Sequence, residues 1–439
     1  MQEKQTSAGQ GLLSALAESR ALTDGLFRVV REEAFYDRPI PERHRIAFYF
    51  GHLEAFDWNL IGTRVLGLDS LHPGFDKLFA FGIDPVGGGL PTDQPSDWPA
   101  RAEIERYNER VRKTLDESLA KVSFSRPAQP LLEDGYILNV AVEHRLMHAG
   151  TLAYMLHQLP VERKLRQPAA PAPAAASQPQ RMVEIPAGTA TLGRPRHDGF
   201  GWDNEFDVQT VSVPRFAMDV HNVTNSQFLE FMAAGGYEDQ SLWTPADWEW
   251  RSSQGISHPF FWNRKQDQWF YRGMFEEVPL PLQDPVYVSY AEAAAYACWK
   301  GKELPTEAQF HRAAYGTPEG TEREYPWGDE PPGSEHGNFD FRRWDPTPAG
   351  AFPAGRSAFG IVDLVGNGYE WTRTIFGPLP GFQPFPFYPG YSANFFDGQH
   401  YVMKGGEPRT AARLLRRSFR NWFQPHYPYV YATFRCVEN

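Results

Sequence analysis

A stretch without hydrophobic periodicity divides this chain of 439 residues in two. Residues 167–180 contain only proline, alanine, glutamine and serine, so they offer no apolar face that could pack into a core. Such a composition is typical of an extended, exposed linker. The sequence therefore predicts one domain at residues 1–165, a linker at 166–180 and a second domain at 181–439.

The residues before the linker show the hydrophobic spacing of helices. Apolar side chains recur three and four residues apart in four ranges, about 7–34, 43–66, 100–122 and 132–159. A region rich in glycine and proline, at 73–99, separates the second range from the third. Four helices of this length predict a four-helix bundle.

Two histidines, His144 and His148, lie four residues apart in the fourth predicted helix. Four steps nearly complete a helical turn, so both imidazoles leave the same inward face. His52 lies in the second predicted helix among apolar residues, where an unpaired polar ring would be costly. Together the three residues predict a metal site with imidazole ligands. The alternative is that the three rings are satisfied core or surface groups without a metal.

Charge and composition argue against several classes of protein. The net charge is −11 and no basic block offsets it, which argues against nucleic acid as a partner. We expect the one local basic cluster to be solvated or ion-paired; it comprises Arg413, Arg416, Arg417 and Arg420. No run approaches the roughly 18 apolar residues of a transmembrane helix. The first residues lack the apolar run of a secretory signal, and two cysteines cannot form a disulfide framework, so we expect a cytoplasmic protein.

The residues after the linker have short apolar runs, many turns and scattered aromatic residues. This texture predicts an irregular α+β domain, with helices at about 290–300 and 306–315. Several of its motifs resemble the formylglycine-generating-enzyme (sulfatase-modifying-factor) family. They are Tyr296–Trp299, Gly301–Phe310, Tyr325–Gly328, Phe359–Thr372, Lys404–Gly406 and Phe434–Cys436. The resemblance implies a C-type-lectin-like fold for residues 181–439.

The resemblance does not extend to formylglycine chemistry. Copper-dependent members of that family need two cysteines in the segment after the paired glycines. Residues 407–431 of this chain contain none, so we do not expect that activity. The two cysteines of the chain, Cys298 and Cys436, lie in elements that pack together in the resembled fold. We therefore expect them to be buried neighbours with a structural role.

The whole chain resembles the non-haem iron sulfoxide synthases of ergothioneine and ovothiol biosynthesis, in which a DinB-like bundle precedes this fold. The matches are the Gly51–His52 pair, His144 and His148. The resemblance implies that these three histidines bind Fe(II). It also implies that O2 and a sulfur donor act on the imidazole C2 of a histidine derivative, usually the trimethylated histidine hercynine.

The chain departs from that family at several positions. Gly150 stands where the family motif continues with glutamate, and residues 84–91 lack the arginines that bind a carboxylate-rich donor. Phe396 stands where the family has a tyrosine that supports bond formation, with Tyr391 and Tyr401 nearby as candidate catalytic residues. These departures resemble the selenoneine synthase branch, which implies a selenosugar donor. The alternative is an ergothioneine-type sulfoxide synthase with a thiol donor.

The second domain supplies further candidate site residues. We expect aromatic rings to bind the trimethylammonium group by cation–π attraction, with Phe396 as a further substrate contact. These rings are Trp422, Phe423, Tyr427, Tyr429 and Tyr431. Arg420 and Asn421 are candidates for the hercynine carboxylate. Resemblance to calcium-binding members of the fold also makes a Ca²⁺ site an expectation; its ligands would be Asp363, Gly366, Gly368 and Glu370.

Two other classes of function stay open at this point. One is a zinc-binding, thiol-dependent transferase of the DinB type, in which the same histidines would bind a redox-inactive metal. The other is a non-catalytic binding protein whose histidines are structural. Metal analysis and O2 consumption distinguish both from an iron enzyme.

Overall fold

The computed structural model describes residues 2–80, 90–124, 129–171, 173 and 180–439. The chain divides into two compact units, Met1–Gln167 and Pro168–Asn439, and the division falls inside the predicted linker. Parts of two sequence-based expectations lie outside the described residues. They are the donor loop at residues 84–89 and most of the linker, at 172 and 174–179.

In the part of the first unit that the structure describes there are four long helices, as the hydrophobic spacing predicts. They are α1 (Gln2–Phe27), α2 (Ile46–Asp57), α4 (Arg101–Leu119) and α5 (Tyr136–His157), with a short α3 (Pro73–Leu78) between the second and third. A π-helical segment, Trp58–Val65, continues α2. The first predicted helix ends earlier than expected, at Phe27, and a separate 3-10 turn at Glu32–Ala34 follows it.

Helix α5 is the central helix of this unit and is buried on nearly all sides. It begins after Gly135, which has a φ of 67°, a left-handed value that glycine adopts without strain. Helix α1 packs against α5, and α2 packs against α4. The apolar core between them includes Leu16, Val111, Leu115, Ile137 and Leu152. A helix with apolar residues all round its surface fits this interior position.

A network of ion pairs, buried at Arg145, Glu54 and Asp57, connects the helices of the first unit. Arg145 on α5 contacts Glu54 (Nη1–Oε1 3.0 Å) and Asp57 (Nη2–Oδ2 2.8 Å) on α2. Arg112 on α4 contacts Glu54 and also Asp24 on α1, each at 2.7 Å. Because a buried charge is stable only when it is paired, the network fixes how α2 and α5 are rotated against each other.

The second unit is the irregular α+β domain that the sequence predicts. Its described strands are β1 (Met182–Ile185), β2 (Gly188–Leu192), β3 (Gln209–Val213), β4 (Phe216–Asp219), β5 (Trp262–Lys265), β6 (Gln268–Arg272), β7 (Glu277–Pro279), β8 (Gly368–Ile375), β9 (Tyr401–Gly406), β10 (Asn421–Phe423), β11 (Ala432–Thr433) and β12 (Val437–Glu438). They form sheets in the orders β10-β9-β8-β11, β1-β4-β12, β5-β6-β7 and β2-β3. Most pairs are antiparallel, and β11 pairs with β8 in parallel.

Four helices accompany these strands. They are α6 (Asn225–Ala233), α7 (Pro245–Ser253), α8 (Tyr290–Trp299) and α9 (Glu307–Tyr315). The sequence predicted α8 and α9 but not the first two. Thr224 and Thr244 cap those helices by accepting a backbone N–H from the first turn, a signal present in the sequence.

The cysteine expectation is wrong for one of the two residues. Cys436 is buried, and burial raises the pKa of its thiol well above the usual value, which fits a structural role. Cys298 is exposed, because the end of α8 that carries it faces solvent. In the part of the chain that the structure describes, no helix is long and apolar enough to cross a membrane.

Candidate metal centre and aromatic cluster

The structure brings the three predicted histidines of the first unit together. His52 on α2 and His144 and His148 on α5 each offer one ring nitrogen, and these nitrogens lie within 4.8 Å of one another. The Nε2 atoms of His144 and His148 are 3.1 Å apart. All three side chains are buried. Among the described residues, this is the one group of three or more metal-ligating side chains at such spacing.

The orientation of His52 follows from a backbone contact. Its Nδ1 lies 2.7 Å from the carbonyl oxygen of Phe79. A carbonyl only accepts hydrogen bonds, so Nδ1 carries the proton and donates it. The lone pair of Nε2 is then available to a metal, as in proteins whose ligating histidines bond a carbonyl through the other nitrogen.

Burial keeps the three imidazoles neutral. It lowers the pKa of His52 to about 4, and the hydrogen bond that His52 donates to the Phe79 carbonyl opposes this shift only in part. It also lowers the pKa values of His144 and His148 well below the usual range, and the neighbouring histidines and Arg145 add to the effect. Neutral imidazoles have the free lone pairs that metal coordination needs.

Aromatic rings fix the planes of the histidines. Phe56 stacks on His144, with centroids 3.5 Å apart and planes 9° apart. Phe48 stacks on His52 at 4.9 Å and 19°. These apolar faces exclude water from the sides of the cluster. The nearest carboxylates of α2, those of Glu54 and Asp57, bind Arg145 instead. An all-imidazole ligand set suits iron, zinc or copper rather than magnesium or calcium.

Three of the predicted residues of the second unit meet in one aromatic cluster. Trp422 stacks on Phe376, with centroids 4.2 Å and planes 7° apart, and meets the edge of Tyr391 at 5.6 Å. The Phe396 ring lies 5.0 Å from Phe376, and Tyr391 stacks on Trp202 at 4.1 Å. Sequence reasoning missed Phe376 and Trp202.

The other predicted tyrosines have different neighbours. Tyr401 stacks on Tyr290, with centroids 3.7 Å apart, so the two candidate catalytic tyrosines, Tyr401 and Tyr391, pack against different rings. Tyr427 stacks on Phe423 and meets the edge of Tyr429. Tyr427 and Tyr429 are both half-buried.

Tyr431 belongs to the core rather than to a substrate site. Its ring lies 5.8 Å from Phe261 and 5.5 Å from Tyr287, and it is 2% exposed. Burial raises the pKa of its phenol well above the usual value. The expectation that Tyr431 binds substrate is therefore corrected, because its ring already packs inside the protein.

The expectation that Arg420 binds the hercynine carboxylate is also corrected, because a carboxylate of the protein already binds its guanidinium. Its guanidinium contacts both carboxylate oxygens of Glu307, at 3.0 and 3.1 Å, and the side chain is buried. The next residue, Asn421, is partly exposed, and its Oδ1 accepts the backbone N–H of Trp422 at 2.9 Å. Asn421 therefore stays a candidate for binding substrate.

The expected calcium ligands are used within the protein. Both oxygens of Glu370 contact Arg435, at 2.6 and 2.7 Å, so this carboxylate is neutralised by a guanidinium. Asp363 accepts the backbone N–H of Gly350, and burial raises its pKa to about 6. Gly366 and Gly368, the expected carbonyl donors, are buried in the same region. The structure does not support calcium binding through Glu370.

Comparisons with known proteins cover both units. Residues 167–439 match the sulfatase-modifying factor enzyme 1-like domain, and residues 15–152 match the DinB superfamily. Hercynine oxygenase of Mycolicibacterium thermoresistibile is 33% identical over 87% of this chain and 83% of that protein. Hercynine oxygenase of Mycobacterium tuberculosis is 38% identical over 54% of this chain and 55% of that protein. Ergothioneine biosynthesis protein 1 of Neurospora crassa is 28% identical over 94% of this chain and 56% of that protein.

Proposed function

The chain belongs to the non-haem iron sulfoxide synthase family, and from this premise we propose that it joins a sulfur or selenium donor to the imidazole C2 of hercynine in an O2-dependent reaction. The observation that supports this most directly is the cluster of His52, His144 and His148. Three buried, neutral imidazoles in one place form a ligand set that a structural core would not need. The relatives named hercynine oxygenase support hercynine as the substrate.

Fe(II) is the metal that we propose for this cluster. The residues fit it, because three nitrogen ligands without a carboxylate or a thiolate suit a ferrous ion and leave coordination positions open. When bound, iron would supply the electrons for the activation of O2. The protein keeps the three histidines neutral by burial, and the stacked rings of Phe48 and Phe56 fix the planes of His52 and His144 and keep water from their faces.

In the second unit, we propose the aromatic cluster around Trp422 as a binding site for the trimethylammonium group of hercynine. An indole face attracts a quaternary ammonium ion more strongly than a phenyl ring does. Tyr391 and Phe376 restrict the Trp422 ring to one orientation. Asn421, the residue before Trp422, is the polar residue that we propose for the hercynine carboxylate.

A more specific part of the proposal is the identity of the donor, which carries either sulfur or selenium. The relatives, hercynine oxygenases and an ergothioneine biosynthesis protein, support a sulfur donor and an ergothioneine-type reaction. The selenosugar of the selenoneine branch is a second candidate, because residues 84–91 contain no arginine. Two described arginines, Arg38 and Arg45, both form ion pairs with Asp93, so the protein already pairs the charges that a carboxylate-rich donor would need. A sugar donor carries no carboxylates and needs no arginine.

A competition experiment tests the reaction and identifies the donor. Purified protein is incubated with Fe(II), air and hercynine, and selenosugar, thiosugar, cysteine and γ-glutamylcysteine are offered together. Mass spectrometry is expected to find one dominant adduct of hercynine with a sulfur or selenium donor. A protein that contains zinc and consumes no O2 would be a DinB-type transferase, and a protein without bound metal or product would be a binding protein.

A further inference from the structure

His52 is fixed by a segment that the sequence did not single out. We propose that residues 70–79 form a positioning element for His52, and that Gly51 is required because the Phe79 ring occupies the place of a side chain there. The inference rests on the proposed metal site, since it concerns how one of its ligands is held. It assigns positioning roles to Gly51, Asp76 and Phe79.

The contact with His52 comes from the end of a short helix. Helix α3 ends at Leu78, and the N–H of Phe79 donates to the carbonyl of Phe75 at 3.0 Å. The last carbonyl groups of a helix have no partner within it. The carbonyl of Phe79 is therefore free to accept the Nδ1–H of His52, at 2.7 Å. This bond selects one tautomer and directs Nε2 away from α3.

Gly51 allows the Phe79 ring to come this close. A Cβ atom on Gly51 would lie 2.6 Å from the Cε1 and Cζ atoms of Phe79, closer than real Cβ contacts permit. The ring cannot easily move aside. It is fully buried, and the rings of Phe75 and Trp98 lie 5.5 and 6.2 Å away. Any larger residue at 51 would push the Phe79 backbone away from His52.

Asp76 fastens the same segment to two other helices. Its carboxylate accepts the hydroxyl of Tyr107 on α4, at 2.7 Å, and the hydroxyl of Ser70. Its backbone carbonyl accepts the amide of Asn59 on the π-helical segment, at 2.9 Å. These three bonds hold Asp76 in place, three residues before Phe79, and so restrict the movement of the segment whose carbonyl orients His52.

The first test measures metal affinity with Co(II) as the probe, added to metal-free full-length protein. Gly51→Ala is expected to weaken Co(II) binding by about tenfold to a hundredfold and to shift the visible ligand-field bands, as changes to partners of ligating histidines do. Gly62→Ala is the matched control. Its Cβ would meet the Trp58 ring at 2.8 Å in the same helical stretch, and that ring belongs to a residue six positions beyond His52. It is expected to lower thermal stability and to leave affinity and spectrum unchanged.

A second measurement does not need the metal. In metal-free protein with ¹⁵N-labelled histidine, His52 is expected to show a protonated Nδ1 and an unprotonated Nε2. Gly51→Ala is expected to give a mixture of tautomers, and Gly62→Ala to leave the pattern as in the wild type. If Gly51→Ala does not fold, Tyr107→Phe replaces it. Loss of one bond to Asp76 should then weaken Co(II) binding in the same direction but by less.

The outcomes separate this inference from the proposed function. Wild-type protein that binds no Co(II) would contradict the metal site itself. Wild-type protein that binds Co(II), with variants at 51 and 107 that bind it equally well and keep the tautomer of His52, would overturn the positioning role alone. A loss of affinity as large in Gly62→Ala as in Gly51→Ala would also overturn it, because the effect would then be general destabilisation.

Discussion

The guanidinium of Arg145 lies 3.0 Å from the carboxylate of Glu54, and both side chains are 1% exposed. Arg145 follows His144 on α5, and Glu54 is two residues beyond His52 on α2. The charges of the two ligand-bearing helices therefore pair beside the histidine cluster. We expect Arg145→Met to destabilise the first unit by about 3–5 kcal/mol, since it removes the buried partner of Asp57 and leaves Glu54 paired with Arg112 alone.

Calorimetry of the full chain measures this change, which is expected to lower the unfolding temperature of the transition that belongs to the first unit. The triple variant Arg145→Met, Glu54→Gln and Asp57→Asn is the informative control, because it removes the charges along with their partner. It should recover part of the lost stability. A single variant that unfolds within 1 kcal/mol of the wild type would contradict a structural role for the pair.

Removal of one histidine tests the proposed metal site. We expect His148→Ala to reduce bound iron or Co(II) below detection at equimolar metal, because two imidazoles without a third ligand bind far more weakly. His197→Ala is the control, because this histidine is exposed and lies in the second unit. Elemental analysis after gel filtration gives the result. Equal metal in both variants would place the site elsewhere.

Glu407 predicts how the free energy of unfolding changes with pH. It is buried, and burial raises its pKa to about 8, against the opposing bonds and charge of Arg409. The folded protein therefore binds more protons than the unfolded chain between about pH 4.5 and pH 8, so this carboxyl lowers stability as pH rises through that window. From pH 5 to pH 8 the loss is on the order of 3 kcal/mol.

Glu407→Gln removes this titration and keeps an oxygen to accept the backbone N–H of Arg409, at 2.8 Å in the wild type. The variant should match the wild type in free energy of unfolding near pH 5 and exceed it at pH 8. Urea unfolding at several pH values measures the difference. A difference that stays constant from pH 5 to pH 8 is incompatible with the raised pKa.

Substrate binding tests the aromatic cluster of the second unit. We expect Trp422→Leu to weaken hercynine binding about tenfold, within the range of a desolvated cation–π contact, and Trp422→Phe to weaken it less. Titration calorimetry with hercynine measures this. Trp269→Leu is the control of the same residue type, because its ring lies against His258 and Trp262 rather than in the cluster. Equal losses in the variants at 422 and 269 would speak against a specific role for Trp422.

The sequence predicts those parts of the molecule that depend on the spacing of residue types along a short stretch of the chain. The bundle helices follow from apolar residues repeated every three or four positions, and the same spacing places His144 and His148 on one face. The contact of Nδ1 of His52 with Phe79 could not be predicted, since it joins residues 27 positions apart through a backbone atom. Spacing along the chain carries no information on such a contact.

The predictions for the second unit failed where a polar residue found its partner far along the chain. Arg420 looked available for a substrate carboxylate, but Glu307, 113 residues away, neutralises it. Glu370 looked available for calcium, but Arg435 occupies both of its oxygens. A sequence shows which charges exist, whereas the fold decides which of them are already paired.

The central claim is that the three histidines bind the iron that drives bond formation at the imidazole C2 of hercynine. The most direct measurement is NMR of hercynine labelled with ¹³C at C2, incubated with iron-loaded protein, air and the preferred donor. The account predicts that the one-bond coupling of C2 to its proton disappears with the wild type and with His197→Ala, and persists with His148→Ala. A C2 carbon that keeps its proton with the iron-loaded wild type, while O2 is consumed, would contradict it.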